Sequence, residues 1–137
     1  MMKFFLVVLT LLILSPQSHA HGEDELGPHK GYIKMPGSFH TELVPFKKNK
    51  MKVYLLDIDW KNPSVNRSQV QMTYNKSQAD CKSEKNYFMC SFDKSIDLNK
   101  NGELKVLAER ENKKGAEVIY ILPLKLEKMN DSHSMHH

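Results

Sequence analysis

Three stretches of this chain alternate apolar and polar residues with a period of two, and that period constrains the fold more than any other feature. "QVQMTY" sets Val70, Met72 and Tyr74 against Gln69, Gln71 and Thr73. "ELKVLAE" does the same with Leu104, Val106 and Ala108, and "EVIYILPLKL" with Val118, Tyr120, Leu122, Leu124 and Leu126. Successive side chains of an extended strand point to opposite faces, so each run describes a strand with one face in a core. "MKVYLLDIDW" is apolar on both faces, as a central strand is, and "NYFMCSF" reads as a further strand. "KNPS", "NKSQ", "KNG" and "NKKG" supply turn chemistry between the runs, with a hairpin expected at Asn101-Gly102. No long stretch carries the 3.6 period of a helix. The expectation is an all-β fold, a small antiparallel immunoglobulin-like β-sandwich. The Cys…Trp…Cys order of antibody domains is absent, because Trp60 precedes both cysteines.

The two ends of the chain differ from this body. Residues 1–20 place Lys3 before an apolar run from Phe4 to Leu14 and close on Ser18-His19-Ala20, the pattern of a secretory signal cleaved after Ala20. The run is too short for a membrane span. Cleavage there makes His21 the first residue of a periplasmic or secreted protein, with no membrane span left. Residues 21–38 form a Gly/Pro-rich head, residues 39–126 the β-sandwich domain, and residues 127–137 a polar His/Met tail expected to be disordered. What remains after the signal suits one domain with one core, expected to be monomeric.

The chain has two cysteines, Cys81 and Cys90. In an exported protein an even pair reads as a disulfide, and a bridge closing so short a loop contributes roughly 2–3 kcal/mol. The chain carries 20 Lys+Arg against 16 Asp+Glu, spread evenly. That slight excess, without a basic stripe interleaved with aromatics, gives no case for nucleic acid.

Soft and borderline metal ligands gather at the two ends. Of seven histidines, none lies between His40 and His133. After cleavage His21 offers an α-amine and an imidazole, a chelate for copper(II). His29 and Met35 lie in the head, where Gly27, Gly31, Gly37, Pro28 and Pro36 allow tight folding. Thioether sulfur selects copper(I). The tail adds Met129, His133, Met135, His136 and His137, a short His-rich tract of the kind that binds metal loosely. Along "SFHTELV", Phe39, Thr41 and Leu43 make the better core face. His40, Glu42 and Val44 therefore point outward, with Glu42 beside His40 as an orienting acceptor.

Catalysis has little support. There is no G-x-S-x-G or H-E-x-x-H, and no free thiol remains after pairing. Asp57 and Asp59 share one face of a strand but read as a solvated edge. "DLNKNGELKV" begins like a calcium loop, yet its twelfth position is Ala108 where a bidentate Glu is needed.

"HGEDELGPHKGYIKMPGSFHTELVP" resembles the head of small periplasmic proteins with a G-P-x-x-G-x-[IV]-x-M-P-G-x-F-H-T-E signature, similar to sequences beside CzcB/CusB-type heavy-metal efflux adaptors. The matching residues are Gly27, Pro28, Gly31, Ile33, Met35, Pro36, Gly37, Phe39, His40, Thr41 and Glu42. A weaker similarity is to CopC-like copper carriers, whose H-x-H motif this chain lacks. The resemblance implies handling of copper, silver or a related soft cation, with heavy-metal efflux components as partners. The sequence thus points to a non-enzymatic protein that carries or buffers copper. Met35 and His40 would form the core pair, with His21 or His29 completing the site and the tail as an auxiliary. The alternative is a non-metal module docking on an envelope partner.

Overall fold

The run "HTEL" is buried on both of its faces. Thr41 and Leu43 are fully enclosed on one side, and His40 and Glu42 are buried on the other. A strand of one sheet in a two-layer sandwich needs only its inner face covered, so something packs on the outside here. The computed structural model, which describes residues 25–126, shows what does.

The described residues form ten strands and no helix. In chain order these are β1 (Tyr32–Lys34), β2 (His40–Lys47), β3 (Lys50–Leu56), β4 (Gln69–Tyr74), β5 (Ser77–Gln78), β6 (Asp80–Glu84), β7 (Tyr87–Ser91), β8 (Gly102–Arg110), β9 (Lys113–Lys114) and β10 (Val118–Leu122). One sheet has the order β1-β2-β3-β7-β6. The other has β10-β8-β4-β5, with β9 folded back on β8, and every pairing is antiparallel. The orders β2-β3-β7-β6 and β10-β8-β4 reproduce the A-B-E-D and G-F-C sheets of an immunoglobulin-like sandwich, with β1 added outside the first strand. No helix among the described residues is long and apolar enough to cross a membrane.

The alternation in sequence maps directly onto the core. Val70 and Met72 of β4, Leu104, Val106 and Ala108 of β8, and Tyr120 and Leu122 of β10 face Phe39, Leu43, Met51, Val53 and Leu55 of the other sheet. The Tyr120 hydroxyl bridges the layers, 2.6 Å from Thr41 Oγ1 and donating to the Thr41 carbonyl at 3.2 Å. Cys81 and Cys90 are register partners on β6 and β7 and form the expected disulfide. The bridge lies within one sheet rather than between the two sheets, as in antibody domains.

Three local expectations change. The sandwich begins before residue 39, because β1 pairs with β2 through Tyr32↔Leu43, Ile33↔Glu42 and Lys34↔Thr41. Asn101-Gly102 does not turn a hairpin: β7 and β8 belong to different sheets, and Gly102 opens β8 after a crossover loop. Asp57 and Asp59 do not share a strand face, since β3 ends at Leu56 and Asp57 starts a turn. The signal at 1–20, His21 and the tail at 127–137 lie outside the described residues.

Candidate functional site

The outer cover over β2 is a second, smaller core. Ile33, Tyr54 and Leu56 are buried together, with Val44, Trp60 and Tyr87 packed against them. Ile33 reaches this face from β1 and Tyr54 and Leu56 from β3, because cross-strand partners share a face. The head, which reads in sequence as loop with a short extended piece, supplies part of the lid through β1 and the 27–31 turn.

Glu42 is the polar centre of that lid. Its Oε2 accepts the backbone N–H of His29 at 2.8 Å and of Gly31 at 2.9 Å, and its Oε1 lies 2.6 Å from His29 Nδ1. A carboxylate taken out of water needs donors on both oxygens, and here the 27–31 turn provides them. The turn is closed by Gly27 N–H donating to the Gly31 carbonyl at 2.8 Å and Lys30 N–H to the Gly27 carbonyl at 2.9 Å. Both glycines are required by close approach. A Cβ at Gly27 would sit 2.5 Å from Glu42 Oε2, and one at Gly31 would sit 2.6 Å from the Leu43 carbonyl oxygen. The His29 ring stacks on Tyr54 with centroids 3.6 Å apart and planes 5° from parallel.

The Tyr54 hydroxyl titrates above its ordinary range, first because it is buried and second because of the Glu42 negative charge. A pKa raised on folding stabilises the native state below the unfolded value of about 10 and loses that contribution as pH rises through the folded one. The protein should therefore lose stability in the alkaline limb. Phenolate absorbance should show Tyr54 ionising late, and Glu42→Gln should bring it only part-way back because burial is the larger cause. A full return to the ordinary value would contradict that ordering.

His40 sits one step further along β2, on the same face as Glu42 and about 7 Å along the strand. Two expectations about it need correcting. It is not a surface histidine, being only 5% exposed, because Leu56 and Trp60 cover it. Nor does Glu42 orient it. The carboxylate is committed to His29 and Gly31, and the His40 ring instead places Nδ1 3.1 Å from the Asp57 backbone oxygen. That oxygen is held by the turn Asp57 starts. Asp57 Oδ1 accepts from the Asp59 and Lys61 amides, at 2.9 and 2.8 Å, Oδ2 accepts from Asn62 Nδ2, and Trp60 N–H donates to the same Asp57 carbonyl at 3.1 Å. These bonds, the Lys61 amide first, hold the Asp57 carboxyl below the usual carboxylate range. Its contribution to stability is present above the unfolded pKa and is lost as pH falls through the lowered one.

A backbone carbonyl can only accept, so the proton of a neutral His40 ring is on Nδ1 and the lone pair is on Nε2. The same reasoning puts the proton of a neutral His29 on Nδ1, against Glu42. In both imidazoles an oxygen holds Nδ1, which fixes the ring and leaves the lone pair of the neutral form on Nε2.

Met35 follows the last pair of the β1–β2 ladder, Lys34↔Thr41, and lies just outside β1; only an extension of the register by one further pair would set it opposite His40. It is half exposed, at 52%. The ladder thus ends one pair short of Met35 and His40 and does not itself join them, while His29 lies over Glu42 and Tyr54. Among the described residues no three of His, Cys, Asp and Glu gather into a ready metal cluster. Sequence reasoning missed the roles of Asp57, Trp60 and Tyr54. The one signal for Asp57 and Trp60 was "DIDW", where the chain's single tryptophan follows two aspartates.

The chain matches no protein-family model, no curated protein and no solved structure.

Proposed function

We propose that this is an exported protein that binds a soft metal ion, copper(I) before others, at the Met35–His40 end of the β1–β2 hairpin, and carries or buffers it for a heavy-metal efflux system. The observation that carries the reading is the commitment of His40 Nδ1 to the Asp57 carbonyl, which fixes the ring and puts the lone pair of its neutral form on Nε2, in the same hairpin as the exposed thioether of Met35. Most other residues of the head motif have packing duties. Gly27, Gly31, Ile33 and Glu42 build the lid, and Phe39 and Thr41 face the main core. Met35 is half exposed, and an accessible thioether in the same hairpin as a pre-oriented imidazole suits a soft cation. Silver fits the same donors. The resemblance of the head to proteins found beside efflux adaptors supports the role in transfer.

Trp60 provides the test. It is the chain's single tryptophan, and its ring lies edge-on to His40 with centroids 5.8 Å apart. Copper(I) or silver(I) held at His40 should change Trp60 fluorescence in proportion to metal and saturate at one equivalent. Saturating metal with unchanged fluorescence would place binding elsewhere and leave docking on an envelope partner as the function.

A further inference from the structure

The tip of the β2–β3 hairpin carries side chains that neither the core nor the lid uses. Residues 46–52 read Phe-Lys-Lys-Asn-Lys-Met-Lys, four lysines without an acid. The ladder slips between Pro45 and Lys47, which leaves Phe46 as the extra residue of a β-bulge. Phe46 is half exposed, with Lys52 Nζ 5.0 Å and Lys47 Nζ 5.7 Å from its ring centroid. Lys52 Nζ also stands 4.9 Å over the Tyr87 ring, so aromatic, cation and aromatic follow one another across the outer face of the sheet. The tip is tied down from behind. Asn49 Nδ2 donates to the Phe92 carbonyl at 2.8 Å, Phe92 N–H returns a bond to the Asn49 carbonyl at 2.9 Å, and Leu98 N–H donates to the Lys48 carbonyl at 2.6 Å.

Two ordinary explanations of these lysines do not apply. None of Lys47, Lys48, Lys50 and Lys52 makes an ion pair among the described residues. The acids on the neighbouring elements are engaged otherwise: Asp80 pairs with Lys82, Glu84 accepts the Tyr87 hydroxyl, and Asp93 and Asp97 accept the Ser95 and Asn99 amides. Nor do the lysines guard a sheet edge against pairing, because β2 and β3 are interior strands between β1 and β7. We infer that the β2–β3 tip docks on an anionic phospholipid surface, with Phe46 entering the headgroup boundary and the four lysines facing the phosphates. An aromatic ring suits that boundary, and each lysine beside it adds attraction to anionic lipid. Lysine stems can lie along apolar surface while the ammonium groups stay wet. The hairpin holds no arginine, the residue that bidentate recognition of a nucleic acid or of a protein carboxylate favours. Such a protein lies on the bilayer rather than crossing it, and the docking needs no metal.

The test is metal-free co-sedimentation with vesicles, on the chain beginning at His21 so that the apolar run at 4–14 does not itself partition. The protein should pellet with phosphatidylglycerol–phosphatidylcholine vesicles and stay in solution with phosphatidylcholine alone, and added salt should release it. Lys47→Gln with Lys48→Gln should lower the partition coefficient roughly 30-fold, about fivefold per charge removed. Phe46→Ser should lower it on the order of 10-fold. These side chains are exposed, so the melting temperature should not move. Lys113→Gln with Lys114→Gln removes the same charge from exposed positions on β9, in the other sheet, and should leave partitioning unchanged. Partitioning indifferent to lipid charge, an equal loss in the β9 variant, full partitioning of Phe46→Ser, or an oligothymidine that binds the tip as tightly as the vesicles do would each overturn the inference.

Discussion

Glu42→Ala lowers the melting temperature by on the order of 10 °C, the largest stability loss expected from a single substitution in the head. Glu42 is fully enclosed and receives three N–H groups, from His29 twice and from Gly31. Removing the carboxylate leaves those donors facing a void. Orphaned buried donors and a broken buried pair together cost about 3 kcal/mol. The damage spreads because the same bonds hold the 27–31 turn, and the turn holds Leu26 against Tyr32 and His29 against Tyr54. Glu42→Gln keeps one acceptor oxygen but points an NH₂ at a donor, so its loss should be smaller. Differential scanning calorimetry of both variants checks this. An alanine variant as stable as the parent would mean that the turn carries no weight in the fold.

The same residue shows where the sequence stops being legible. Alternation placed Glu42 on the outer face of β2, and that face is where it lies. Period two reports which residues share a face, but not whether another layer covers it. The cover comes from Gly27–Gly31, thirteen residues from Glu42 at His29, and from Trp60, which enters from a loop beyond β3. No local pattern announces contacts of that range. Strands β4 and β10 were readable because one face is solvated and the contrast is strong. β1, three residues long amid glycine and proline, is legible only as a short extended piece of the head, and its pairing with β2 is not. The partner of His40 was missed for a related reason. It is a main-chain oxygen, and which carbonyl an imidazole meets follows from the turn geometry that Asp57 imposes rather than from any residue type near His40.

Loss of metal binding on changing Met35 and His40 is the second large effect. Met35→Leu keeps the volume of a half-exposed side chain, so stability should stay within about 0.5 kcal/mol of the parent, while copper(I) affinity falls at least roughly 10-fold for want of the thioether. His40→Ala should abolish stoichiometric binding. Asp57→Ala, which frees the turn without touching a ligand, should cost roughly 10- to 100-fold, the usual range for an outer partner of a metal-binding histidine. This ordering separates ligand loss from unfolding, because the variant that leaves the fold intact still loses affinity. Equal affinity in the parent and Met35→Leu would remove the thioether from the site.

The sequence offers a second candidate for the proposed metal, with Met129, His133, Met135, His136 and His137 within the last nine residues. A copper(I) competition titration on the chain beginning at His21, repeated on the chain lacking residues 129–137, decides between the two. Tight one-to-one binding that survives removal of the tail is the predicted result and places the ion on the head and the β1–β2 hairpin. Binding that disappears with the tail would contradict the account and leave His40 as a histidine held by the Asp57 carbonyl for packing alone.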